Sequence, residues 1–274
     1  MIASPAALRL DHALAASHAQ GRAALGVYLP VGYPDRHTSR DALHLLTQSA
    51  DILELGLPHT NAHLDGPIVR QAAAQALDGG FVMRDLFDTA VELAAATTTP
   101  LVVMSYWEPI AHYGSARFAH DLVASGAGSV LIPDLPESAA ADWRRISREA
   151  GLHTVTLIPP HASDAHLAAI GQATSGMVYA PATPGLTGAR RPLSPYLPRL
   201  VRRLRTATGQ PVAVGIGISS PEQAAQASAY ADAVIVGSAV IRCMQTQPRS
   251  AAVAAAQAGC DFAAGVRRAQ RTTA

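Results

Sequence analysis

Residues 211–239 read PVAVGIGISSPEQAAQASAYADAVIVGSA. Two short runs in this stretch, 211–215 and 233–236, are apolar at every position and rich in valine and isoleucine, the pattern of strands buried on both faces of a parallel sheet. Each runs straight into glycine: Gly215-Ile216-Gly217 after the first and Gly237-Ser238 after the second. Between them 221–230 has helical patterning behind Ser219-Ser220, with Pro221 suited to a first helical turn. Strand, helix, strand in so short a span is a βαβ unit, whose crossover is right-handed and whose strands run parallel.

Outward from that unit the alternation continues through almost the whole chain. Strand patterns at 24–29, 51–56, 100–105, 129–132, 153–158 and 177–180 bring the number to eight. Helical patterns fall between them at 40–49, 67–76, 83–96, 115–124, 137–150, 163–173 and 193–206. Eight repeats suit closure into a single (β/α)8 TIM barrel of the α/β class better than an open sheet. Residues 8–20 are expected to add an extra N-terminal helix across the barrel bottom, and 250–270 a C-terminal closing helix. No linker or composition shift divides the chain, so 1–274 reads as one domain.

The bulk numbers agree with a packed enzyme-sized domain. Of 274 residues, 49% are hydrophobic and 15% charged, and the formal net charge is +1, so nothing in the balance demands nucleic acid or an anionic membrane as partner. The first residues lack the regions of a signal peptide, and charged or turn residues interrupt every apolar run, so a cytoplasmic protein is expected. Cys243 and Cys260 have no metal-ligand spacing and read as buried thiols rather than a disulfide. All 21 basic residues are arginine. Without lysine, no side-chain amine exists to form a Schiff base, and chemistry of that kind is excluded.

In a barrel the reactive groups belong at the C-terminal ends of the strands and in the loops that follow. Glu54 sits near that end of the apolar run 51–56, where an unpaired charge is expensive; it is either functional or held by neighbouring backbone. Eleven residues on, after a long loop, Asp65 precedes Gly66-Pro67. It is either the cap of the next helix or the second carboxylate of an acid–base pair. The glycine turns at 215–217 and 237–238, each leading into a helix start, suit a phosphate group. Pro184-Gly185-Leu186-Thr187-Gly188 has the length and glycine content of a lid.

These motifs together resemble the tryptophan synthase alpha subunit family. The resemblance rests on Glu54-Leu55-Gly56-Leu57-Pro58, Leu64-Asp65-Gly66-Pro67-Ile68, Gly185-Leu186-Thr187-Gly188-Ala189-Arg190, Gly215-Ile216-Gly217-Ile218-Ser219 and Val236-Gly237-Ser238-Ala239, in the family's order, with Tyr28-Leu29-Pro30-Val31-Gly32-Tyr33-Pro34-Asp35 after the first strand. It implies retro-aldol cleavage of indole-3-glycerol phosphate to indole and glyceraldehyde 3-phosphate, without metal or cofactor. Glu54 matches the family's general acid–base and Asp65 the carboxylate that stabilises charge at the indole nitrogen. Tyr28, Tyr106, Tyr179 and Thr187 match substrate-contacting positions, while Gly188, Gly217, Gly237 and Ser238 match phosphate-contacting ones.

The resemblance breaks where the family meets its beta subunit. An aromatic residue followed by Ser-Asp-Pro is replaced by His59-Thr60-Asn61-Ala62-His63, and the asparagine of Tyr-x-Asn-Pro by Glu108 in Tyr106-Trp107-Glu108-Pro109. Asn61, Ala62 and Glu108 therefore put coupling to a beta-type partner in question, while Asp134 and Pro136 keep the family pattern. Alternatives stay open: a non-catalytic homologue, a lyase for a substituted indole-glycerol phosphate, or a metal-dependent aldolase using His59 and His63. Loop histidines are more often solvent-exposed or substrate-contacting than metal ligands. Arg199, Arg202 and Arg203 share a helical face but lack interleaved aromatics, so a solvated surface is expected there rather than a nucleic-acid site.

Overall fold

A computed structural model describes residues 3–159, 162–182 and 192–269 of the chain. Eight parallel strands close into a barrel in sequence order: β1 (Ala24–Pro30), β2 (Ile52–Gly56), β3 (Leu101–Met104), β4 (Ser129–Leu131), β5 (His153–Leu157), β6 (Val178–Pro181), β7 (Val212–Gly215) and β8 (Ala233–Val236). Closure is made by β1 against β8, with Ala24 opposite Ala233 and Val27 opposite Val236. The expected strands all exist, with ends within a residue or so of the sequence reading.

The helices are α1 (Pro5–Ala19), α2 (Arg36–Leu46), α3 (Pro67–Asp78), α4 (Met83–Ala96), α5 (Trp107–Tyr113), α6 (Ser115–Ala124), α7 (Glu137–Ala150), α8 (Asp164–Ala173), α9 (Leu197–Thr208), α10 (Pro221–Ser228), α11 (Ser238–Thr246) and α12 (Ala251–Arg268). Local chemistry sets their starts. Ser4 accepts from Ala7 N at 3.2 Å ahead of Pro5, and Asp35 accepts from Thr38 N at 2.9 Å, so α2 begins four residues before the apolar periodicity does. Pro198 in the first turn fixes the start of α9 at Leu197, later than expected. The short helix α5 was not anticipated, and α11 was expected only as a helix start after Gly237, without a range.

Two apolar layers result. One packs helices against the outside of the barrel and includes Leu29, Leu55, Val103, Phe118 and Trp143. The other fills the barrel interior with Ala24, Ile52, Val102, Leu131, Val155, Met177, Ala213 and Ala233, and α1 plugs its lower end through Leu10 and Leu14. A Cβ on Gly128 would collide with the backbone of Ala6 and Ala7, so α1 touches the chain at the base of β4 itself. His153 and Asp11, 3.1 Å apart, add a polar tie there.

One expectation is corrected. Cys260 is exposed on α12 and Cys243 is half-buried on α11, so neither is the buried thiol the sequence led one to expect, and both are free. The buried face of α12 runs through Ala254, Ala255, Ala258, Phe262 and Val266, and Cys260 lies off it. Among the described residues, no helix is long and apolar enough to cross a membrane.

Candidate active site

Alternation along the parallel strands turns every second side chain inward, and at the C-terminal end those side chains meet in a cavity. Glu54 lies there on β2, opposite Tyr28 of β1 and Val102 of β3. Tyr179 enters from β6, and Met104, Leu131, Leu157 and Ile235 supply an apolar wall. Two glycines make room for the tyrosines. A Cβ on Gly56 would strike the Tyr28 ring and hydroxyl, and one on Gly215 would strike the Tyr179 hydroxyl.

Asp65 reaches the same cavity from the loop between β2 and α3. The loop is folded on itself by His63 N to Asn61 O at 2.9 Å and Asp65 N to Ala62 O at 3.1 Å. Gly66, not Asp65, occupies the cap position of α3, and no side chain caps that helix. The capping role is therefore vacated, and the Asp65 carboxyl points into the barrel mouth, buried.

The electrostatics separate the two acids. Burial lifts Asp65 to about 6, against the opposing pull of a hydrogen bond from Tyr106 and the charges of Arg70 and His63. Burial and then the Asp65 charge push Glu54 to about 8. A glutamate held by neighbouring backbone N–H groups would be pulled down instead, so this is not a satisfied core carboxylate. The pair holds one proton between about pH 6 and 8: Glu54 neutral, Asp65 ionised. Burial and both carboxylates raise the phenols of Tyr28 and Tyr179 well above their ordinary value, keeping them as neutral hydrogen-bond donors.

At the β7–β8 side the cavity is lined by Gly217, Gly237 and Ser238. Ile216 has φ of +54° and Gly217 φ of +112°, a left-handed turn that a non-glycine residue adopts only under strain. The two helix starts that follow differ. Ser220 caps α10, accepting from Gln223 N at 3.3 Å, so that terminus is already served. Helix α11 begins at Ser238 behind Gly237 with no side-chain cap, leaving its first N–H groups and the positive end of its dipole open to an anion. The sequence offered both termini; the structure leaves one.

Tyr106 does not line the cavity. It is buried behind Asp65, and its hydroxyl takes the Leu64 N–H at 3.0 Å while bonding to the Asp65 carboxyl. His59 and His63, expected in solvent or against substrate, both lay their rings on Tyr106, at 5.6 and 5.5 Å between centroids. Only His63 is exposed; His59 is folded in, its Nε2 3.2 Å from Glu108 Oε2. Among the described residues no three His, Cys, Asp or Glu side chains are grouped as metal ligands would be. Arg203 is paired with Asp164 at 2.6 Å on the surface of α9 and does not line the cavity. Thr187 and Gly188, with the rest of the lid motif, lie outside the described residues. What the sequence reading missed is the apolar wall, since a leucine or isoleucine facing a cavity has no signal that distinguishes it from one facing a core.

A family model described as tryptophan synthase alpha chain matches residues 14–268. The tryptophan synthase alpha chain of Streptomyces coelicolor is 42% identical over 244 residues, covering 89% of this chain and 90% of that protein. That of Mycobacterium avium is 41% identical over 263 residues, covering 96% of both. Among solved structures, Mycobacterium tuberculosis tryptophan synthase superposes with a TM-score of 0.87 at 38% identity, covering 97% of this chain and 99% of the matched one. A mutant alpha subunit from Pyrococcus furiosus gives a TM-score of 0.82 at 30% identity, covering 88% and 98%. At this identity over this length, the chain belongs to the tryptophan synthase alpha chain family.

Proposed function

We propose that this chain cleaves indole-3-glycerol phosphate to indole and glyceraldehyde 3-phosphate, with Glu54 and Asp65 as its catalytic residues. The observation that carries the reading is the pair of carboxyls in one apolar cavity, one raised to about 8 and the other to about 6. Glu54, neutral below about pH 8, donates a proton to the indole ring at C3. The positive charge this creates at the ring nitrogen is stabilised by the Asp65 carboxylate. The ionised Glu54 then accepts the proton of the C3′ hydroxyl. The C3–C3′ bond breaks, its electron pair returns to the ring and neutralises the nitrogen, and the C3′ carbon leaves as the aldehyde. Atoms and charge balance with no external acid, oxidant or metal, and no lysine is needed.

The apolar wall suits the indole ring, with Tyr28 and Tyr179 as neutral donors beside it. The open start of α11 with Gly217, Gly237 and Ser238 suits the phosphate. Thr187 and Gly188 complete the family pattern as lid and phosphate contacts.

Pairing with a beta-type subunit is part of the same reading, in an altered form. Asn61 brings no carboxylate to the loop, Ala62 is buried, and the Glu108 carboxylate is engaged by His59. Release of indole from indole-3-glycerol phosphate by the purified chain, alone and with an added beta subunit, tests both parts. Absence of indole under both conditions overturns the activity, and strong activation by a standard beta subunit overturns the altered coupling.

A further inference from the structure

We propose that His59, braced by Glu108, is a positioning residue for Asp65 and acts through Tyr106. The inference rests on the assignment of Asp65 to the reaction, and it concerns residues that never reach the cavity.

The loop that delivers Asp65 has to be fixed against something rigid. Its own hydrogen bonds, His63 to Asn61 and Asp65 to Ala62, fold it but do not anchor it to the barrel. The anchor is Tyr106, which leads into α5 from the neighbouring strand and is 2% exposed. Its hydroxyl holds the loop at the inner end through Leu64 N and the Asp65 carboxyl. The outer end is held two residues further along the same segment, where Glu108 in the first turn of α5 meets His59 Nε2 at 3.2 Å. The loop from 59 to 65 is therefore fastened twice to one short segment, and the His59 ring lies on Tyr106 between the two fasteners.

The segment itself is rigid enough to serve. Trp107 donates its backbone N–H to Asp134 Oδ1 at 2.8 Å, and its ring meets Trp143 edge-on at 6.0 Å, tying α5 to the next repeat of the barrel. The side chain of His59 is only 13% exposed, while that of Glu108 is 60% exposed. Loss of the carboxylate thus releases one fastener without opening the core, and the expected effect is graded rather than total.

The consequence for Asp65 has a definite sign. Asp65 faces Glu54 on β2, Tyr28 on β1, Tyr179 on β6, Tyr106 ahead of α5, Arg70 on α3 and His63 on its own loop; Asp134 reaches Tyr106 from beyond β4. Of these, the Tyr106 hydrogen bond is the largest influence holding Asp65 down. A loop that slips from Tyr106 while Asp65 stays in the cavity loses that bond and keeps its burial, so the Asp65 carboxyl rises above about 6 and the acid limb of the rate profile moves to higher pH.

The experiment compares Glu108→Ala, Glu108→Gln and His59→Ala in the full chain by amide exchange at Leu64 and by steady-state kinetics. Glu108→Ala and His59→Ala should speed exchange at Leu64 by about fivefold or more, and lower kcat by about three- to tenfold with KM little changed. The acid limb should move upward in both. Glu108→Gln keeps an oxygen that accepts from His59 and should recover most of each effect. Unchanged Leu64 exchange in Glu108→Ala overturns the brace, whatever the rates do. Faster exchange with kcat and the acid limb unmoved overturns the link to Asp65. A wild-type protein that fails to cleave the substrate refutes the activity instead, and the exchange measurement still decides the brace.

Discussion

Tyr179 on β6 lies with its hydroxyl over the α-carbon of Gly215, the residue two positions beyond its direct partner on β7. The absence of a side chain at 215 is what lets a buried phenol cross toward the Glu54 carboxyl. Gly215→Ala places a methyl in that path and forces the ring to swing. The expected cost is about 1–3 kcal/mol of stability, together with a fall in kcat/KM larger than the fall in folded fraction accounts for. Thermal unfolding and initial rates on the same preparation check it; a wild-type rate in the alanine variant would refute the positional role of Tyr179.

Glu54→Gln separates activity from stability. Its expected loss in kcat is about 10²–10⁴-fold, the range for removing a general acid–base group. The stability change runs the other way. The Glu54 carboxyl rises from 4.5 to about 8 on folding, so between those values the native state binds a proton that the unfolded chain does not, and wild-type stability falls as pH rises through that window. The glutamine variant lacks this penalty. The two proteins should be similar below about pH 4.5 and diverge in favour of the variant up to about pH 8, by a few kcal/mol at about 1.4 kcal/mol per pKa unit. Urea melts at several pH values measure the divergence.

Asp65 ionises first, and its carboxylate is the form that stabilises charge on the ring. The rate of the wild type should therefore rise through about pH 6 on the acid side. Asp65→Asn should remove that limb and lower kcat by about 10²-fold or more. A limb near pH 6 that survives in the asparagine variant would assign it to another group.

Ser238→Asp tests the anion site at the start of α11. A carboxylate at the first position of an uncapped helix complements its dipole, worth about 0.3–1 kcal/mol, so stability should hold or increase slightly. The same charge repels a phosphate, and KM for the phosphorylated substrate should rise about tenfold or more with kcat largely kept. Inhibition by inorganic phosphate should weaken in parallel. Equal KM values would move the phosphate elsewhere in the cavity.

Much of the fold was legible because burial leaves a periodic record. Runs such as Val212–Gly215 and Ala233–Val236 are apolar on both faces only where helices cover one side and the barrel interior the other. Helices α5 and α11 left no such record. They are short, and Trp107–Tyr113 has a proline in its first turns. The early start of α2 came from Asp35, a capping effect outside the apolar stripe. In the site, glycines and carboxylates could be read because they break an apolar pattern, while the wall of Met104, Leu131, Leu157 and Ile235 conforms to it.

The sequence by itself determined the alternation of strands and helices, the order of Glu54, Asp65 and the two glycine turns, and the exclusion of amine chemistry by the missing lysine. These are properties of neighbours along the chain, and periodicity and composition record them. Only the tertiary structure decided that Asp65 is a cavity carboxyl rather than a helix cap, that α11 rather than α10 offers the open terminus, and that His59 meets Glu108. The first and last depend on where barrel closure brings residues from different repeats, and the second on which of the two turns lends its helix a side-chain cap. Burial and charge proximity then set the proton affinities of Glu54 and Asp65, and both are properties of three-dimensional surroundings that no local pattern contains.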